Sequence, residues 1–175
     1  MKKKCLSDMI DFSLGDNPSR MKTDEADIYT QDDLLRDLSG ENDATLENPA
    51  CIINLMRSNA APLSKSTAKK KITSNFLYCQ IDSSYLDPWY FCYQFNEGAE
   101  IQQQINRYSQ GTVLSVKRLN MQMIGDMQLI VPDMAKQKTI GAIYRQSVKQ
   151  YTLLCKQAED LKTMTLATIR KIEED

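Results

Sequence analysis

The fold is decided by the stretch Met134–Glu174, which reads MAKQKTIGAIYRQSVKQYTLLCKQAEDLKTMTLATIRKIEE. In a helix, its residues at alternating steps of four and three fall on one seam, as in a coiled coil. The seam comprises Ile140, Tyr144, Ser147, Tyr151, Leu154, Ala158, Leu161, Thr165, Thr168 and Ile172. A second row flanks it, so the apolar face can meet more than one neighbour; that row is Ile143, Val148, Cys155, Met164 and Ile169.

The length of this helix implies a partner. At about 1.5 Å per residue it would run roughly 50 to 60 Å, farther than a body of about 130 residues can cover. No Pro or Gly follows Gly141 to interrupt it. We therefore expect part of the helix to project and to form a homodimer. The residues expected at that interface are Ile140, Tyr144, Tyr151, Leu154, Ala158, Leu161 and Ile172.

The composition favours a cytoplasmic protein with no membrane segment. Mean hydropathy is −0.47 across 175 residues, and no apolar run is long enough to span a bilayer. The lysines at positions 2 to 4 carry the charge of a signal peptide, but the apolar stretch of a signal peptide does not follow them.

The residue types argue against an enzyme. The chain contains no histidine, which removes imidazole bases and most nitrogen-ligated metal sites. Its five cysteines lack CxxC spacing, so neither a zinc site nor a disulfide framework is indicated. Asp87-Pro88-Trp89-Tyr90 resembles the target-amine loop of adenine methyltransferases, but no glycine pair forms the GxG turn that would hold a cofactor. We expect no catalytic residues, no metal ligands and no cofactor.

The sequence before residue 134 predicts a small mixed domain. Residues 1–48 are mainly turns and acidic residues, with one helix over 31–39 capped by Thr30 and ended by Gly40. Residues 57–71 predict a mobile basic loop. The other expected elements are strands within 49–56, 76–81, 113–116 and 127–131, and helices over 84–95 and 119–123. The predicted fold is α+β: a mixed α/β domain, residues 1–133, followed by a long C-terminal coiled-coil helix, residues 134–175.

The charges are distributed unevenly. Residues 1–56 carry six basic and twelve acidic side chains, whereas residues 57–133 carry eight and six. A nucleic-acid surface would therefore require basic residues gathered on one face. Lys65, Lys69, Lys70 and Lys71 are near one another in sequence, and such a cluster either contacts phosphate or remains in solvent.

A family resemblance begins at Gly111. The run GTVLSVKRLN from Gly111 to Asn120, the apolar run ending at Pro132, and Gln137 opening the long helix follow one another in the order typical of one protein family. This order resembles the end of a target recognition domain in the DNA specificity (S) subunit of Type I restriction-modification systems. The segment from Tyr85 to Phe91 resembles the region that precedes it in that family.

The resemblance implies a non-catalytic protein that recognises a bipartite DNA sequence. One recognition domain and one spacer helix correspond to half of a usual S subunit, and the helix would pair antiparallel with a second copy. Implied partners are double-stranded DNA, a methyltransferase (M) subunit and an endonuclease (R) subunit. The DNA-binding candidates are Lys65, Lys69, Lys70, Lys71, Thr112, Lys117 and Arg118. Two alternatives remain: a coiled-coil adaptor that binds protein, and a regulatory half-subunit without tight DNA binding of its own.

Overall fold

The computed structural model describes residues 2–17, 27–40, 49–110 and 118–174. Its elements form a mixed α/β body and a long C-terminal helix, which confirms the predicted fold class. In chain order they are β1 (Lys2–Cys5), β2 (Ile10–Leu14), α1 (Gln31–Ser39), β3 (Ala50–Asn54), β4 (Asn59–Pro62), β5 (Phe76–Ile81), α2 (Pro88–Glu97), α3 (Ala99–Gln110), α4 (Met121–Gly125), β6 (Gln128–Val131) and α5 (Met134–Glu174).

The body is built on an antiparallel sheet with the strand order β2-β5-β3-β4. All five residues of β3 are buried, so both faces of the sheet are covered. Successive side chains of a strand point to opposite faces. Cys51 and Ile53 accordingly join a core with α2, whereas Ala50 and Ile52 join a second core with Leu34 of α1. The sheet thus separates α1 from α2.

A second sheet has two strands, β1 at the start of the described chain and β6, which directly precedes α5. Strand β1 pairs antiparallel with β6, with Lys3 opposite Ile130. The N–H of Leu6 also donates to the Met127 carbonyl at 2.9 Å. This pairing holds β6, and therefore the start of α5, against the body.

Several expectations for the body are confirmed. Helix α1 spans the predicted residues, Thr30 accepts from the Asp33 N–H at 3.2 Å as its N-cap, and Gly40 ends it with φ of 71°. Strands β3, β5 and β6 and the turn of α4 lie within or next to their predicted ranges. Helix α2 begins later than expected, at Pro88, because Asp87 caps it by accepting from the Tyr90 N–H at 2.9 Å.

Other expectations are wrong. Residues 2–5 and 10–14 form strands where turns were expected, and residues 59–62 form β4 inside the predicted basic loop. Helix α3 was not anticipated. Strands β1 and β2 pair with distant segments, and such pairing depends on context more than on local preference, whereas β4 forms a hairpin with the preceding β3. The predicted strand 113–116 lies outside the described residues.

Helix α5 docks through its first turns and then leaves the body. Its early residues pack on α2 and α1, and Ile140 and Tyr144 are half-buried against the core. Gly141 permits a close approach, since a Cβ there would lie 2.6 Å from Asp87 Oδ1 and 2.9 Å from the Tyr90 nitrogen. In the described part of the chain, no helix combines the length and apolarity needed to cross a membrane.

Candidate functional site

Two surfaces carry the residues singled out from the sequence. The first is the basic turn, residues 64–71, which contains Lys65, Lys69, Lys70 and Lys71. The second is the projecting seam, the seam residues of α5 from Tyr151 to Ile172.

The basic turn is anchored to α1 by buried hydroxyl groups. Thr67 Oγ1 donates to Asp37 Oδ2 at 2.6 Å, and the Ser64 hydroxyl lies 2.9 Å from Thr67 Oγ1. Backbone bonds from Ala68 to the Ser64 carbonyl and from Lys70 to the Thr67 carbonyl fix its curvature. These contacts give the basic turn a defined position on the body.

Asp37 is the buried acceptor at the centre of this anchor. Its Oδ2 also accepts from the Tyr29 hydroxyl at 3.0 Å, and its Oδ1 has no hydrogen-bond partner among the described residues. Burial, together with the adjacent Asp37 carboxylate, raises the pKa of Tyr29 well above its ordinary value. Tyr29 therefore remains a neutral donor to Asp37 Oδ2, and a buried carboxyl oxygen requires such donors.

Lys70 is engaged within the body. Its Nζ lies 2.9 Å from both Oδ1 and Oδ2 of Asp33, a residue that is 4% exposed. Burial raises the pKa of Asp33, but the Lys70 ammonium and two bonds from Thr30 outweigh it and lower the pKa below its usual 3.8. Lys70 thus fastens the basic turn to α1 in addition to carrying charge.

Of the other DNA-binding candidates, Lys65, Lys69 and Lys71 lie within the basic turn and Arg118 lies close to it. Lys65 and Lys69 are exposed, and the Lys71 backbone bonds to Asp27 and Tyr29 on the segment preceding α1. Arg118 donates to the Ser74 carbonyl, just beyond the basic turn. The structure therefore brings Arg118 near the segment that follows the four lysines. Thr112 and Lys117 lie outside the described residues.

Gln137 fastens α5 to the body. It is 1% exposed and uses both ends of its amide. Its Oε1 accepts from the Asp87 N–H at 3.0 Å, while Nε2 donates to the carbonyls of Tyr85 and Pro132, each at 3.0 Å. Gln137, the glutamine of the family resemblance, thus links α5 to the segment that precedes α2 and to the residue that follows β6.

The first two seam residues contact their own body. Tyr144 packs edge-on against Trp89, with ring centroids 6.4 Å apart, and its hydroxyl accepts from Asn96 Nδ2 at 3.0 Å. Burial raises the pKa of Tyr144 to about 12, so the hydroxyl stays protonated at neutral pH. Ile140 packs against the same core. Their participation in a dimer remains a prediction.

The projecting seam is open to solvent along its length. Tyr151 is 69% exposed, Leu154 64%, Leu161 66% and Ile172 71%, and Ala158 is also exposed. A contiguous exposed apolar face of this kind marks a protein interaction surface. The seam predicted for dimerisation is therefore available for it.

Sequence reasoning missed the residues that position these surfaces. Asp33 and Asp37 are four residues apart on α1, so they share a helical face, but neither was singled out as an anchor for the lysine-rich segment. Thr67 gave no signal on its own. Among the described residues, no three histidine, cysteine or acidic side chains are grouped to hold a metal ion.

The comparisons with known proteins identify a fold. No protein-family model matches the chain, and no curated protein matches it. Among solved structures, the chain is similar to the crystal structure of the HsdS subunit from Thermoanaerobacter tengcongensis, with a TM-score of 0.57 and 11% sequence identity. The similarity covers 90% of this chain and 39% of that one. At this identity the likeness shows a shared fold, and the chain spans well under half of that subunit.

Proposed function

We propose that the protein recognises DNA sequence as part of a Type I restriction-modification complex, with no catalytic chemistry of its own. Residues 1–133 are the target recognition domain, and residues 134–175 are the helix that spaces two such domains. The observation that carries this proposal is the HsdS-like fold over 90% of the chain. It agrees with the sequence resemblance to S subunits.

The basic turn supports a role in positioning DNA. Contacts between lysine and phosphate fix the register of a protein on the duplex, whereas other side chains read base edges. Lys65 and Lys69 are exposed on a turn that Thr67 and Lys70 hold to α1. A turn whose position is already fixed by such bonds loses less conformational entropy on binding than a free loop does.

The projecting seam supports pairing with a second copy. Two copies related by a twofold axis place one recognition domain at each end of an antiparallel helix pair. The DNA target is then an inverted repeat of short half-sites separated by a spacer of any sequence. The M subunit, and the R subunit where cleavage occurs, supply the chemistry.

Selection from a pool of random-sequence duplexes tests this function. The purified protein is used at low ionic strength, where phosphate contacts are strongest. Repeated rounds should enrich a short sequence, present twice in inverted orientation. A pool that remains random after many rounds would contradict sequence recognition.

A coiled-coil adaptor is the second candidate. The exposed apolar seam favours it, because such a face serves a protein partner whether or not DNA is bound. If the protein is an adaptor, the selection from random duplexes should enrich no sequence. Replacement of Lys65 and Lys69 should also leave its binding to the protein partner unchanged. A regulatory half-subunit would bind the M subunit and also select no sequence.

A further inference from the structure

The structure contains an apolar groove between α1 and the root of α5. Its floor is formed by Val148, Tyr151, Thr152 and Cys155, and its wall by Leu35 and Leu38 of α1. The volume is about 780 Å³. Leu35 is 48% exposed although it lies on a helix whose neighbouring Leu34 is fully buried.

We propose that this groove is a docking site for the end of α5 from a second copy of the chain, which inserts Ile169 and Ile172. The inference rests on the pairing of two copies proposed above. It adds the register of the two α5 helices and the contact that the end of each helix makes. Two observations support the inference. The groove adjoins the seam of α5, and the heptad phase of α5 limits the registers in which two copies can pair.

The heptad phase together with the extent of the free seam selects one antiparallel register. In antiparallel coiled coils, the two seam positions of the heptad face each other across the axis. Ile140 and Tyr144 pack against their own body, so pairing is confined to the seam from Ser147 to Ile172. The register in which every seam residue of this range finds its partner within the range has its twofold axis between Glu159 and Asp160. Ala158 then faces Leu161 of the second copy, and Leu154 faces Thr165 of the second copy.

The same register brings the end of one helix to the groove of the other copy. Ser147 and Ile172 each lie about 19 Å from the axis at 1.5 Å per residue, so Ile172 of the second copy arrives beside Ser147. In the second row, which flanks the seam, Val148 faces Ile169 of the second copy. Val148 is on the side of α5 that carries α1, so Leu35 and Leu38 close over these isoleucines.

Charge at the groove is compatible with this occupant. Arg36 and Glu97 lie at its margin. Ile172 is flanked by Lys171 and Glu173, so the arriving helix end carries both signs. A parallel pair would instead place both bodies at one end and leave Ile169 and Ile172 facing their own copies far from any groove.

Leu35→Glu tests the groove separately from the seam. Leu35 is not part of α5, and its exposure in the single chain means that the substitution leaves the body folded. We expect it to weaken self-association by about tenfold or more, since it places a charge in an apolar contact. Leu153→Glu is the matched control, because Leu153 is 52% exposed and lies off the seam. Equal effects of the two changes on sedimentation equilibrium would overturn the proposal.

Cross-linking tests the register. The test uses a background with Cys5→Ser and Cys155→Ser, which leaves only buried cysteines among the native ones. One preparation carries Ser147→Cys and another Ile172→Cys, and a short bismaleimide is added to each preparation alone and to their mixture. The mixture should give a cross-linked dimer, and neither preparation alone should. A cross-link with Ile172→Cys alone would indicate parallel pairing, and a mixture that gives none would mean another register or no pairing. Each result overturns the proposal, whereas DNA recognition is judged independently by duplex selection.

Discussion

The backbone N–H of Asp87 donates a hydrogen bond of 3.0 Å to the side chain of Gln137 on α5. Asp87 is also the N-cap of α2, so one residue caps one helix and binds another. The direction in which α5 leaves the body is therefore determined by the α2 N-terminus. The spacer role proposed for α5 requires such a rigid connection, because any rotation there is amplified along the length of the helix.

Gln137→Leu is expected to lower the free energy of unfolding by about 2 kcal/mol or more. The substitution removes the partner that Gln137, itself 1% exposed, gives to the Asp87 N–H and to the carbonyls of Tyr85 and Pro132. Urea unfolding measures the effect. Gln146→Leu, at an exposed position of the same helix, is the control and should change stability by less than about 0.5 kcal/mol. Similar losses for both variants would argue against the anchoring role.

Gly141→Ala is expected to destabilise the docking of α5. Alanine usually favours a helix over glycine by about 1 kcal/mol, but here its Cβ would meet Asp87 Oδ1 at 2.6 Å and Trp89 Cβ at 2.9 Å. Thermal unfolding should therefore occur at a lower temperature. Ala142→Gly, at the exposed neighbouring position, measures the helix preference alone. A Gly141→Ala protein more stable than the parent would contradict the close approach.

The sequence predicted the elements whose signals are local. Thr30 and Asp33 form a capping box, which located α1, and the seam located α5. Strand β1 was missed because Lys2 to Lys4 have no strand pattern and pair with residues 129–131 at the other end of the body. Helix α3 had a signal in Ile101 and Ile105, which share a face, but its glutamines obscured it.

The candidate site was predicted only in part. The lysine cluster and the seam could be read from the sequence, since both are patterns within short stretches. The anchor of the basic turn could not be read in this way, because Thr67 contacts Asp37, which lies 30 positions earlier in the sequence. Lys70 illustrates the limit: its neighbours in sequence are compatible with either phosphate contact or solvent, whereas its neighbour in space is Asp33.

The pair formed by Lys70 and Asp33 predicts a pH dependence. The folded pKa of Asp33 lies below 3.8, so the unfolded chain binds the proton more readily, and the stability that the pair contributes is lost as pH falls through the folded pKa. Lys70→Met should lower the free energy of unfolding by about 1.5 to 3 kcal/mol above about pH 5 and reduce the loss on acidification. Lys69→Met is the control, and urea titrations from neutral to acid pH measure both.

Replacement of Lys65 and Lys69 by alanine is expected to weaken binding equally for selected and random duplexes. Each lost phosphate contact should make the plot of log affinity against log salt shallower by about 1. Lys156→Ala with Lys162→Ala, on the projecting part of α5, is the matched control and should leave the slope unchanged. An unchanged slope for the Lys65 and Lys69 variant would assign the basic turn to solvent.

The spacer length of the recognised DNA tests the account most directly. Deletion of residues 156–162 removes one heptad and retains the seam phase, the root of α5 and both isoleucines of the docking end. The two domains should then lie about 10 Å closer, since seven residues rise 1.5 Å each, which corresponds to about three base pairs. Duplex selection with the parent and the deleted protein should return the same half-site in inverted repeat, with the spacer about three base pairs shorter after deletion. An asymmetric site, or a spacer that the deletion does not change, would contradict the account.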